Sequence, residues 1–220
     1  MNTPDSIREL LQSQDFGDRL RGVNQLRAID PAIAFELIQI PVADSNVRVR
    51  YAAVSQLATL GSQNREAALS LLKAALADIE PDVQAAAADS IGALKLTEAY
   101  EQLEALYHRT SEWLVSFSVI AALGELGEPR SFELLKEALG SNNEVLVKTA
   151  AIGSLGELGD TRAVELLAPY AADPDWQIRD RVVQALARLN TPEARATIET
   201  LTHDETEQVA THAKQVLAAS

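Results

Sequence analysis

The stretch Val147-Lys148-Thr149-Ala150-Ala151-Ile152-Gly153-Ser154-Leu155-Gly156-Glu157-Leu158-Gly159-Asp160-Thr161-Arg162-Ala163-Val164 holds one helix, its stop and the approach to a second helix. Its apolar residues Val147, Ala151, Ile152, Leu155 and Leu158 fall at i, i+4, i+5, i+8 and i+11, the single stripe of an amphipathic helix. Gly159 follows as a C′ stop, and a second helix is expected from Arg162 to Ala171. The same stripe stands at Val49, Ala53, Val54, Leu57 and Leu60, stopped by Gly61. It stands again at Ile178, Val182, Val183, Leu186 and Leu189, stopped by Asn190.

Outward from these three, seven segments share one template: a polar cap, an apolar residue followed by Arg or a substitute, a small pair, then Leu-x-x-Leu. The anchor residues are Leu26, Leu57, Ile91, Leu123, Leu155, Leu186 and Leu217, spaced by 31, 34, 32, 32, 31 and 31 residues. So even a spacing marks a repeat architecture. Between the anchors lie second helices at 31–42, 65–77, 98–108, 130–139, 162–171 and 192–202. An opening helix after Thr3-Pro4, with Ile7, Leu10 and Leu11 on one face, caps one end; Thr3 suits the N-cap and Pro4 the first helical position. Neither helix of a pair buries its stripe alone, so stacking supplies the core. The expected fold is all-α: an α-solenoid, a right-handed superhelix of about six helix pairs with an N-terminal capping helix, forming a single domain over 1–220.

Composition agrees. Apolar residues make up 47% and aromatics only 5%, as fits close helix packing without β-sheet layers. There are no cysteines, which excludes disulfides, thiolate metal sites, a cysteine nucleophile and a thioether of the chain's own. The start, Met1-Asn2-Thr3-Pro4-Asp5, has neither a basic nor an apolar signal region, and no apolar run reaches bilayer length. A soluble cytoplasmic protein without membrane insertion is expected. The net charge of -13 argues against nucleic acid. Residues 63–145 carry 14 acidic against 6 basic residues, a net of -8. That surplus reads either as a solvated acidic surface or as a patch that meets a basic partner.

Six residues before each Arg-type position stands a polar residue: Ser13, Asp44, Asp78, Thr110, Asn142, Asp173 and Asp204 precede Arg19, Arg50, Gln84, Ser116, Lys148, Arg179 and Ala210. Where both ends are charged, as in Asp44 with Arg50 and Asp173 with Arg179, the acid is expected to cap its helix and accept from that guanidinium. This is scaffold. Trp113 and Trp176 occupy equivalent helix starts where Val47 and Val145 stand elsewhere, so packing is their expected role. Tyr107, His108 and Tyr170, at the ends of second helices, are expected on the surface. Catalytic signatures are absent: His108, His203 and His212 have no ligand spacing, Gly153-Ser154-Leu155-Gly156 is not a nucleophile elbow, and no metal site is expected. Glu125 and Glu157, equivalents in adjacent repeats, read as a carboxylate pair or, more commonly, as separate solvated acids.

The string from Val147 to Val164 resembles the HEAT-like repeat class named after phycobilisome lyases. Longer stretches, among them Asp15 through Arg21, Asp44 through Leu57, Val83 through Leu96 and Asp173 through Arg179, are similar to cyanobacterial phycobilisome-degradation proteins of the non-bleaching B type, related to the E/F-type phycocyanobilin lyase subunits. The resemblance implies a cytosolic factor that engages the antenna on the thylakoid's cytosolic face and promotes its disassembly. It implies phycobiliprotein subunits (phycocyanin, allophycocyanin) as partners, with other degradation factors alongside. Lyase-type detachment of bilin follows from the lyase relatives; a generic HEAT adaptor with an unrelated partner is the alternative. The class places the helices bearing the Arg-type residue on the concave side. On their outward offsets stand Ala, Ser and Gly in the middle repeats, open to a partner helix or flat ligand, punctuated by larger residues. The candidate binding residues are Tyr51, Asp89, Phe117, Glu125, Glu157, Asp180, Arg181 and Arg188. Non-covalent phycocyanobilin would set a propionate on Arg and its protonated pyrrole nitrogens on Asp.

Overall fold

The computed structural model describes residues 3–140 and 144–219. Among these the chain is helical without strands, an α-solenoid. Its contacts divide into two units, 1–122 and 123–220.

The first unit opens with α1 (Pro4–Leu11), whose N-cap Thr3 accepts from the Ser6 amide while the Ser6 side chain bonds back to the Thr3 backbone. Ile7 and Leu11 are buried against α2 (Phe16–Gln25), so α1 covers the first stripe as expected. Then come α3 (Pro31–Ile38), α4 (Val47–Leu60), α5 (Arg65–Ala75), α6 (Pro81–Ala93) and α7 (Tyr100–Arg109). The stripe-bearing helices α2, α4 and α6 pack side by side and the second helices pack against them. Val49, Ala53, Val54 and Leu57 are fully buried. Polar rungs tie neighbouring stripe helices: Gln56 Nε2 donates to the Val23 carbonyl at 2.8 Å and Ser90 Oγ to that of Val54 at 3.0 Å.

The division falls within α8 (Trp113–Leu126). The second unit continues through α9 (Ser131–Gly140), α10 (Val145–Leu158), α11 (Ala163–Leu167), α12 (Trp176–Leu189), α13 (Pro192–Leu201) and α14 (Glu207–Ala219). Here α10 packs along α12 and α12 along α14. The expected second helices are present; α3 and α11 are shorter than expected and are followed by 3₁₀ turns at Pro41–Ala43 and Ala168–Ala172.

The three helix stops differ. Gly159 (φ 74°) and Asn190 (φ 47°) take the left-handed conformation of a C-terminal cap. Gly61 instead keeps right-handed geometry at φ -62° and starts a 3₁₀ turn. It is glycine for space: a Cβ there would stand 2.9 Å from the Ala68 Cβ.

The ladder also differs from expectation in its partners. Arg50 does not pair with the Asp44 carboxylate. Its Nε and Nη2 donate to Asp78 at 2.7 and 2.9 Å, one repeat on, while Nη1 donates to the Asp44 carbonyl at 2.9 Å. Arg19 treats Asp44 and the Ser13 carbonyl the same way, and Arg179 treats Asp204 and the Asp173 carbonyl. Nor do these acids cap their helices; the N-caps are Asn46 and Asp175. Each acid closes a turn just before, Asp44 Oδ1 accepting from the Asn46 amide and Asp173 Oδ1 from the Asp175 amide. Asp44, Asp78 and Asp204 thus each shape their own turn and receive the fork of the preceding repeat. Where charge is lost, Gln84 keeps the short-range half by donating to the Asp78 carbonyl at 2.6 Å. Asn142 lies outside the described residues.

Candidate functional site

The residues near the ladder that face away from the stripe form a groove in the first unit. It encloses about 410 Å³ and is lined by Val47, Arg48 and Tyr51 of α4, Asp82, Ala85, Ala86 and Asp89 of α6, and Leu114 and Ser118 of α8. On α6 the four lining residues stand at i, i+3, i+4 and i+7, one face of the helix. Helical spacing therefore makes the stripe that the core does not use into the groove's long wall.

The chemistry is graded along that wall. Arg48 and Asp82 are the second residues of α4 and α6 and oppose each other in sign. Asp82 also suits the positive N-terminus of α6. Asp89 lies two turns further along, past Ala85 and Ala86, which are nearly buried. It retains solvent access, yet the surrounding apolar wall pushes its carboxyl above the ordinary value; a bond from the Ser118 hydroxyl only partly opposes this. Among the described residues no cation neutralises Asp89. The Tyr51 ring is 48% exposed at the groove.

Of the candidates named from sequence, Tyr51 and Asp89 come together here. Phe117 sits half-buried on α8 between two lining residues but does not line the groove. Arg48, Asp82, Val47 and Leu114 were missed. The same helical face extends one turn before Tyr51 and Ala85. That signal was present as the i−3 neighbour of Tyr51 and of Ala85.

In the second unit Glu157, Asp180, Arg181 and Arg188 each have a side-chain partner within the unit. Arg188 Nη1 donates to Glu157 at 2.9 Å and Asp180 meets His212 at 2.8 Å. Arg181 lies over Gly153, where a Cβ would stand 2.6 Å from its Nε; Nη1 donates to Gln184 at 2.6 Å, and the buried Nε has no hydrogen-bond partner. Glu157 pairs with Arg188, and Glu125 is exposed. The small residues of α10 are not an open floor: Ala150, Gly153 and Gly156 are buried, and Gly156 abuts the backbone of Ala185. They are small because neighbouring helices approach closely.

Other expectations need correction. Trp113 and Trp176, the first residues of α8 and α12, are 47% and 37% exposed, so they are not core packing. Tyr107 and Tyr170 are half-buried rather than exposed. The Tyr170 hydroxyl donates to the Leu139 carbonyl at 3.3 Å and Lys148 lies over its ring. Among the described residues no group of three His, Asp or Glu side chains is placed to hold a metal, and no helix is long and apolar enough to cross a membrane.

Comparison with known proteins defines the class. HEAT repeats match residues 33–123, 69–156 and 143–218, and the chain belongs to that family. No curated protein matches it. Among solved structures it is similar to the complex of CpcE and CpcF of phycocyanin lyase from Nostoc sp. PCC7120, at 21% identity over 100% of this chain and 95% of that chain, with a TM-score of 0.64. It is also similar to the HEAT-like repeats protein of the archaeon Thermococcus onnurineus NA1, at 16% identity over 98% and 96%, with a TM-score of 0.63.

Proposed function

We propose that this chain is a docking protein for phycobiliprotein subunits that engages them through the Tyr51–Asp89 groove and promotes antenna disassembly. The observation that carries the reading is the groove itself, a preformed cleft with an apolar wall, one exposed aromatic ring and the mid-helix carboxylate of Asp89. Such clefts with few convergent polar groups are the usual form of a binding site, and solenoids bind partners along their repeated faces. The phycobiliprotein partner is supported by the likeness to the phycocyanin lyase chains and by the sequence stretches that resemble degradation proteins of the antenna.

Docking is favoured over detachment by the charge at the site. Asp89 suits the protonated pyrrole nitrogens of phycocyanobilin, but the groove offers Arg48 alone against two propionates, with Asp82 and Asp89 repelling them. The residues around the groove therefore do not fit a bilin as a resident ligand, and no bond-breaking step is assigned to them.

Mixing purified phycocyanin with this protein tests the reading. Co-elution on a sizing column with an unchanged visible absorption band is expected. Loss of that band with bilin recovered free of the subunits would make the protein a detaching enzyme, and separate elution would leave a HEAT adaptor with another partner.

A further inference from the structure

We propose that the groove takes a guanidinium or ammonium side chain from its protein partner, its alkyl stem along Ala86 and Leu114 and its charged end on Asp89. The inference rests on the reading of this groove as the docking surface and names what the partner must present.

Charge placement carries it. At one end of the groove Arg48 and Asp82 supply opposite charges, and Asp82 also suits the positive N-terminus of α6. Asp89 is different. It stands mid-helix, two turns from that terminus, with Ala85 and Ala86 before it and only the Ser118 hydroxyl beside it. The Asp89 side chain is exposed yet stands beside apolar surface whose desolvation cost to the charged form shows in its upward-shifted pKa, and it contributes nothing to the ladder or to helix capping. An arriving cation offsets the cost by a charge-assisted hydrogen bond. Arg and Lys are suited to reach it, because their stems lie along apolar surface while the head stays polar. The Tyr51 ring is available to cover the cation. The volume of about 410 Å³ admits one such side chain with part of the segment that carries it. The strongly acidic stretch 63–145 around α6 adds a long-range preference for a basic partner.

Chemical-shift mapping on the full chain tests this with two probes, N-acetyl-arginine methylamide and its neutral isostere N-acetyl-citrulline methylamide. The arginine probe should shift the amides of Ala85, Ala86, Asp89 and Ser118 saturably, about fivefold or more tighter than citrulline. Asp89→Asn should weaken the arginine probe by a similar factor while keeping the wild-type melting curve or better, and Tyr51→Ala should weaken it less. Equal response to citrulline, an unaltered response in Asp89→Asn, or no response to arginine each overturns the inference. Phycocyanin binding is read separately. Complex formation that is indifferent to Asp89→Asn removes this inference and leaves docking standing, whereas arginine binding without a phycocyanin complex removes the named partner alone.

Discussion

Asp44, Asp78 and Asp204 sit where burial would push a carboxyl's pKa upward. At Asp44 and Asp78 burial is the largest single influence, and the guanidinium fork, the turn amide and the opposite charge together outweigh it. At Asp204 the bond from Arg179 is itself the largest influence. All three carboxyls end below the ordinary value of 3.8. A depressed folded-state pKa gives stability that is complete above the unfolded value and lost as pH falls through the folded one. Thermal melts between about pH 6 and about pH 2 should therefore show stability falling once pH drops below about 4. Asp204→Asn should flatten that fall and, at neutral pH, cost about 2 kcal/mol by weakening charge-assisted bonds to Arg179, read as a melting temperature lower by about 4–8 °C. Asp89 has the opposite sign. Its raised pKa means that the charged form is the less favoured one in the fold at neutral pH, so Asp89→Asn should leave the melting temperature unchanged or raise it.

At the scale of the helix, small residues record how closely neighbours approach. A Cβ on Gly124 would stand 2.6 Å from the Ser154 Cβ and 2.7 Å from its Cα, which belongs to the backbone and cannot rotate away. Gly124→Ala should therefore destabilise the second unit by about 1–3 kcal/mol through overpacking, measurable by urea unfolding; an unchanged midpoint would show that α8 and α10 separate easily. The helices themselves were legible because a stripe of period near 3.6 admits one buried face. Gly159 and Asn190 could be read as left-handed caps, but Gly61 could not be told from them. A glycine required by a neighbour's side chain and one required by φ look the same in sequence. The ladder was legible as a rung and misread as to its partners for a related reason. Both separations from Arg50, six residues back to Asp44 and 28 forward to Asp78, are features of the repeat, and only packing shows which carboxylate the fork meets.

For the whole molecule, the even spacing of anchors from Leu26 to Leu217 made the solenoid legible, since only stacked repeats bury a stripe at that interval. The site was half legible. Tyr51 and Asp89 followed from helical offsets, whereas the joining of Arg48, Asp82 and Leu114 with them into one cleft depends on how α4, α6 and α8 are arranged. Arg181, attractive in sequence as a free cation, is taken up by Gln184 and by the space over Gly153. The proposed partner is supported by resemblance together with the charge of one groove. The most direct measurement is a calorimetric titration of phycocyanin into the wild-type protein and into the double variant Tyr51→Ala/Asp89→Ala, with the visible spectrum recorded throughout. A saturable complex with unchanged bilin absorption, weakened about tenfold or more in the double variant, is the predicted result. No complex, or one of equal affinity with both proteins, would contradict it.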